Sequence, residues 1–134
     1  MSSRASKILI VDDDADFLES VSSFLVANGY TVVRASNGRD GLKLAKMEHP
    51  DLIIMDIMMS ERTEGFFTIQ DIRHVPELQT VPIFVVSSIY SSVTGFRVAP
   101  DGGWIGHDEF LSKPVDPPEL LDKIRRRIGE PGPT

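Results

Sequence analysis

The chain has 134 residues, 41% of them hydrophobic and 25% charged, an ordinary globular composition sized for one domain. Fourteen basic residues against twenty acidic ones leave a net charge of −6, which repels phosphate backbones and anionic headgroups and argues against direct contact with nucleic acid or membrane. There is no cysteine, which excludes disulfide frameworks and thiolate chemistry, and the opening MSSRASKILIV lacks the apolar core of a secretory signal; a cytoplasmic protein is expected.

Residues 7–11 (KILIV) are a continuous apolar, β-branched run ending in three aspartates, the pattern of a strand buried on both faces of a parallel sheet. Asp14 can cap a helix that places Phe17, Leu18, Val21, Phe24, Leu25 and Asn28 on one stripe, with Gly29 as its stop. That stripe reads as core and carries no functional assignment. Residues 31–36 (TVVRAS) predict a second strand, and Asn37 caps a helix through Leu42, Ala45 and Lys46 that must end before Pro50. Residues 51–56 (DLIIMD) form a third buried strand with a carboxylate at its C-terminal end. A helix follows over residues 66–74, then a fourth apolar strand over 81–88 (VPIFVVSS) and a short fifth over 110–113 (FLSK). Pro117 and Pro118 open the last helix, whose Leu120, Leu121, Ile124 and Ile128 turn inward while Arg125, Arg126 and Arg127 face mostly outward. The domain is therefore expected over residues 7–128, between tails at 1–6 and 129–134.

Strands alternating with helices imply right-handed crossovers and one doubly wound parallel sheet with helices on both faces. In such sheets ligands bind outside the carboxyl ends of the strands. Those ends present Asp12 and Asp13, Asp56, Ser87 and Ser88, and Lys113. Crowded carboxylates are costly without a cation among them, and hard oxygen ligands with room for water suit Mg²⁺. A carboxylate beside such an ion can attack phosphorus, and the resulting acyl phosphate needs donors, which Lys113, the Ser87 hydroxyl and the Ser88 backbone N–H would supply. Taken singly, each residue has a plainer reading: Asp14 as a helix cap, Asp56 in a turn, the serines bonding backbone, Lys113 in solvent. Joint placement at four separate strand ends is what packing alone does not produce. His49, His74 and His107 lack ligand spacing and are read as surface or packing residues, and the three arginines as a solvated helix face.

The segments KILIVDDD, DLIIMDIMM, VPIFVVSS and FLSKPVD, spread from Lys7 to Asp116, resemble the four signature stretches of response-regulator receiver domains. The resemblance implies a flavodoxin-like, five-stranded sheet of order 2-1-3-4-5. It implies that Asp56 is the phosphoacceptor, Asp13 a direct Mg²⁺ ligand, Asp12 a ligand acting chiefly through water, and Met58 a donor of its backbone carbonyl to the metal. It also makes Ser87 the switch hydroxyl, Lys113 the phosphate-binding lysine before a cis proline, and Phe110 the aromatic switch. The implied partners are a sensor histidine kinase or histidine phosphotransfer protein and a downstream protein target.

Two departures stand out. Ser60 occupies a position that is usually proline, in a charged loop. Residues 89–108, where the family has a regular helix, carry Gly95, Pro100, Gly102, Gly103 and Gly106, so a short or distorted fourth helix is expected there. Three rival functions are weaker. A phosphorylation-independent interaction module would not need Asp13, Asp56, Ser87 and Lys113 together. A phosphohydrolase with an aspartate nucleophile usually has a second acid two residues on, where this chain has Met58. A flavin protein needs a phosphate-cradling loop after the first strand, and VDDDAD would repel it.

Overall fold

A computed structural model describes residues 6–56, 64–87 and 109–129; within these, the side chains of residues 64–67, 87, 110 and 112 lie outside the description. In chain order the elements are β1 (Lys7–Val11), α1 (Ala15–Ala27), β2 (Thr31–Ala35), α2 (Gly38–Glu48), β3 (Leu52–Asp56), α3 (Glu64–Arg73), a 3₁₀ turn (Pro76–Leu78), β4 (Ile83–Ser87), β5 (Glu109–Ser112) and α4 (Pro117–Ile128). Every strand pair is parallel. The strands lie in the order β2-β1-β3-β4, and β5 continues the sheet beside β4 from Phe84↔Glu109 to Ser87↔Ser112.

Because successive side chains leave a strand on opposite faces, continuous apolar strands make two cores. Leu9, Val11, Ile53, Met55, Ile83 and Val85 pack with Ala45 of α2 and Ile69 and Ile72 of α3. Ile8, Ile10, Leu52, Ile54, Phe84 and Val86 pack with Leu18, Val21 and Leu25 of α1 and Leu120, Leu121 and Ile124 of α4. The predicted stripes on α1 and α4 thus face the same side of the sheet.

Local chemistry sets the helix ends. The Asp14 carboxylate accepts from the N–H groups of Asp16 and Phe17, the Asn37 side chain accepts from Asp40 N–H, and Gly29 follows α1 at φ 98°. His49 closes α2 in the left-handed region at φ 48°, a conformation usually left to glycine or asparagine. α2 rides close over β1: a Cβ on Gly41 would meet Val11 Cγ2 at 2.8 Å. Glycine therefore lets the helix cross close over the strand that ends at the acidic residues, where any larger residue would have to displace Val11.

Several boundaries move by a residue or two from the sequence reading. β4 starts at Ile83, since Pro82 has no N–H for the ladder and contributes only its carbonyl, which accepts from Ile53 N–H. β5 ends at Ser112, so Lys113 lies just past the strand. α3 begins at Glu64, ahead of the predicted start. The loop with Ser60 and the segment expected to hold a distorted helix, residues 89–108, fall outside the described residues. Among the described residues no helix is long and apolar enough to cross a membrane.

Candidate functional site

The site begins where β1 stops. Asp12 N–H donates to Ala35 O, which carries the parallel ladder one residue past Val11 and holds Asp12 fully buried at the strand end. Its Oδ1 accepts from Asp14 N–H at 2.9 Å, an Asx turn that swings the chain into α1. Asp13, between the two, is exposed. β3 delivers Asp56, only 4% exposed, in register with Val86 of β4. β5 delivers Lys113, which is joined to Pro114 by a cis peptide bond.

These three strand ends meet. One carboxylate oxygen from each of Asp12, Asp13 and Asp56 lies within 4.8 Å of the others. The Lys113 ammonium is 2.8 Å from Asp12 Oδ2 and 3.6 Å from Asp56 Oδ2. No other donor among the described residues bonds Asp12 Oδ2, so the lysine is what compensates that buried oxygen. Burial works to lower the Lys113 pKa, but the hydrogen bond to Asp12 and the charges of Asp12, Asp56 and Asp14 outweigh it, and the pKa rises above the usual lysine range. The ammonium is therefore a fixed positive charge at neutral pH.

Of the residues singled out from sequence, Asp12, Asp13, Asp56 and Lys113 are brought together. Ser87 closes β4 beside Ser112, next to Lys113 along the chain, and Phe110 pairs with Val85 inside β5; of both, only the backbone is described. Ser88 and Met58 lie outside the described residues. His49 is a helix cap and the His74 ring contacts Gln70 O, both away from the acidic cluster, while His107 is not described. Arg125, Arg126 and Arg127 are exposed on α4, where Arg126 pairs with Asp122.

Sequence reasoning missed Phe17. Its ring, half-buried against the core shared by α1 and α4, sits under the Lys113 ammonium with 4.5 Å from Nζ to the ring centroid. The available signal was its place in the first turn of α1, the end nearest Asp12, but an aromatic within an amphipathic stripe reads as core.

A buried carboxylate at one strand end, two more beside it and a lysine just past a third strand thus lie together at the carboxyl edge of the sheet. The family description "response regulator receiver domain" matches residues 8–125. The chain belongs to this receiver family. Receiver domains are signalling modules of two-component systems. Protein PilH of Pseudomonas aeruginosa is 33% identical over 122 residues, covering 89% of this chain and 94% of its own. A probable transcriptional regulator, ycf27, of Porphyridium aerugineum is 30% identical over 91% of this chain but only 48% of its own length, so the chain spans about half of such relatives. Among solved structures, the chemotaxis response regulator CheY4 of Vibrio cholerae superposes with a TM-score of 0.78 at 30% identity, covering 90% of this chain and 97% of that one. The receiver domain of sensor histidine kinase PA1611 from Pseudomonas aeruginosa, described with a magnesium ion coordinated in its active-site cleft, shares the fold at a TM-score of 0.81 and 23% identity, over 93% of this chain and 98% of that one.

Proposed function

We propose that this receiver domain takes a phosphoryl group onto Asp56 from the phosphohistidine of a sensor histidine kinase or histidine phosphotransfer protein, and that the product switches a surface read by a downstream protein. The observation that carries this is the Lys113 ammonium held between Asp12 and Asp56. An Asp56 carboxylate oxygen forms the new O–P bond while the P–N bond breaks, and the electron pair returns to the imidazole nitrogen, which takes up a proton. Negative charge then accumulates beside Asp56, where the raised pKa keeps Lys113 charged to receive it. By family resemblance the Ser87 hydroxyl and the Ser88 N–H complete the donors to the phosphoryl oxygens, and Ser87 and Phe110 relay the change to the surface.

The residues present fit a hard divalent cation. Three carboxylate oxygens lie close enough to share one, and the buried Asp12 Oδ2 has a cation as its partner already. Asp13 would bind directly, Asp56 and the Met58 carbonyl would join it, and Asp12, whose two oxygens engage Asp14 N–H and Lys113, would act chiefly through water. Bound there, Mg²⁺ supplies Lewis-acid stabilisation of the phosphoryl oxygens. With Met58 and not an acid two residues after Asp56, the protein acts as a phosphoacceptor and not a turnover enzyme, limited to self-phosphorylation from small donors and slow self-dephosphorylation. We take residues 7–128 as the functional unit, with a protein as its output contact; the net charge of −6 disfavours nucleic acid and membrane as direct ligands.

Incubation with acetyl phosphate and Mg²⁺, read by intact-mass spectrometry, tests the reading. One phosphoryl group is expected on the wild type and none on Asp56→Asn. Labelling of Asp56→Asn at the wild-type level would refute the acceptor assignment, and an unlabelled wild type would favour the phosphorylation-independent interaction module.

A further inference from the structure

We infer that Phe17 is a positioning residue for Lys113, holding the ammonium in place over the acidic cluster with the face of its ring; this deepens the phosphoacceptor reading and rests on it. Four contacts form a closed circuit. Asp12 Oδ1 accepts from Asp14 N–H at 2.9 Å, Asp14 Oδ1 accepts from Phe17 N–H at 3.3 Å, the Phe17 ring lies 4.5 Å from Lys113 Nζ, and Nζ returns to Asp12 Oδ2 at 2.8 Å. The first turn of α1 is thereby tied to the ends of β1 and β5 through one ammonium.

The chemistry of each neighbour differs. The ammonium has three protons, and among the described residues Asp12, Asp56 and the ring lie beside it. Carboxylates bind it in one direction each, whereas the ring's negative face attracts it without a directional bond. Lys113 can therefore lean from Asp12 toward a phosphoryl group on Asp56 while the ring continues to hold it. A side chain of similar bulk without a π-face would fill the same space against the core and lose this hold. The lysine side chain is only 17% exposed, so water substitutes poorly for the ring.

The test compares wild type with Phe17→Leu, which keeps apolar bulk, and Phe17→Trp, which keeps a π-face. The first readout is the Lys113 side-chain Hε resonance, assigned by its absence in Lys113→Met. Ring current should shift it upfield in wild type and in Phe17→Trp but not in Phe17→Leu. The second is the rate of Asp56 labelling by acetyl phosphate with Mg²⁺. Phe17→Leu should label about three- to tenfold more slowly, and Phe17→Trp within about twofold of wild type by the same scale. An unshifted Lys113 resonance in wild type overturns the inference, as does a Phe17→Leu rate equal to wild type. Equal slowing of both variants makes Phe17 a packing residue only, which also overturns it. Failure of the wild type itself to label would instead sink the phosphoacceptor reading, so the two failures are told apart.

Discussion

Replacing Lys113 with methionine removes the only charge that offsets the buried Asp12 oxygen among the described residues while keeping an unbranched apolar side chain. At an effective dielectric near 20, unit charges at the observed 2.8 Å and 3.6 Å attract by about 6 and about 5 kcal/mol before desolvation is counted. Bringing ammonium and carboxylate out of water costs several kcal/mol per ion, so most of that gross energy is offset in the intact pair. The variant keeps the cost of burying Asp12 and loses the attraction. Stripping one partner from a buried pair typically costs about 3–5 kcal/mol, and since Lys113 remains 17% exposed the lower end applies. Urea unfolding followed by far-UV circular dichroism at pH 7 in EDTA should therefore show Lys113→Met less stable by about 3 kcal/mol, or about 10 °C in melting temperature for a domain of this size. Mg²⁺ should narrow the gap, because a cation among the carboxylates takes over part of the lysine's role. The pH dependence has a definite sign. The folded-state pKa of Lys113 lies above that of the unfolded chain, so its contribution is fully present below the unfolded value of about 10.4 and disappears as pH rises through the folded value. The stability gap should hold from neutral pH up to that point and close above it. Equal stability of the two proteins in EDTA at pH 7, within about 0.5 kcal/mol, would refute the assignment of Lys113 as the charge that holds this site together.

Two further outcomes test the metal and the packing beneath it. Mg²⁺ at about a hundredfold over its Kd should stabilise the wild type by roughly 2.7 kcal/mol, raising its melting temperature, and Asp13→Ala should lose most of that shift; a full shift persisting in Asp13→Ala would place the metal elsewhere. Gly41→Ala would ordinarily favour a helix by up to about 1 kcal/mol. The added methyl would fall 2.8 Å from Cγ2 of the buried Val11, and overpacking costs about 1–3 kcal/mol, so a net loss near 1 kcal/mol is expected in urea unfolding. A variant as stable as wild type would show that α2 and β1 can separate at no cost.

Much of this protein was legible without coordinates because its signals are local. Short apolar runs such as residues 7–11 and 51–56, alternating with helical stretches, fit strands buried on both faces of a parallel sheet, and capping by Asp14 and Asn37 needs only neighbours two or three residues away. Parallel strands joined by crossover helices then carry their C-terminal residues to one edge, so Asp12, Asp13, Asp56 and Lys113 could be grouped from order alone. What only the tertiary structure decided is how that group divides its charge. The lysine stands closer to Asp12 than to Asp56, Asp12 spends its other oxygen on Asp14, and Phe17 leaves an ordinary-looking core stripe to lie beneath the ammonium. The contacts of Lys113 with Asp12 and Phe17 join residues about a hundred positions apart, set by strand register and by how α1 packs on the sheet. No periodicity along the chain encodes them, because a pattern of apolar and polar residues records which face a side chain takes and not which partner it meets there.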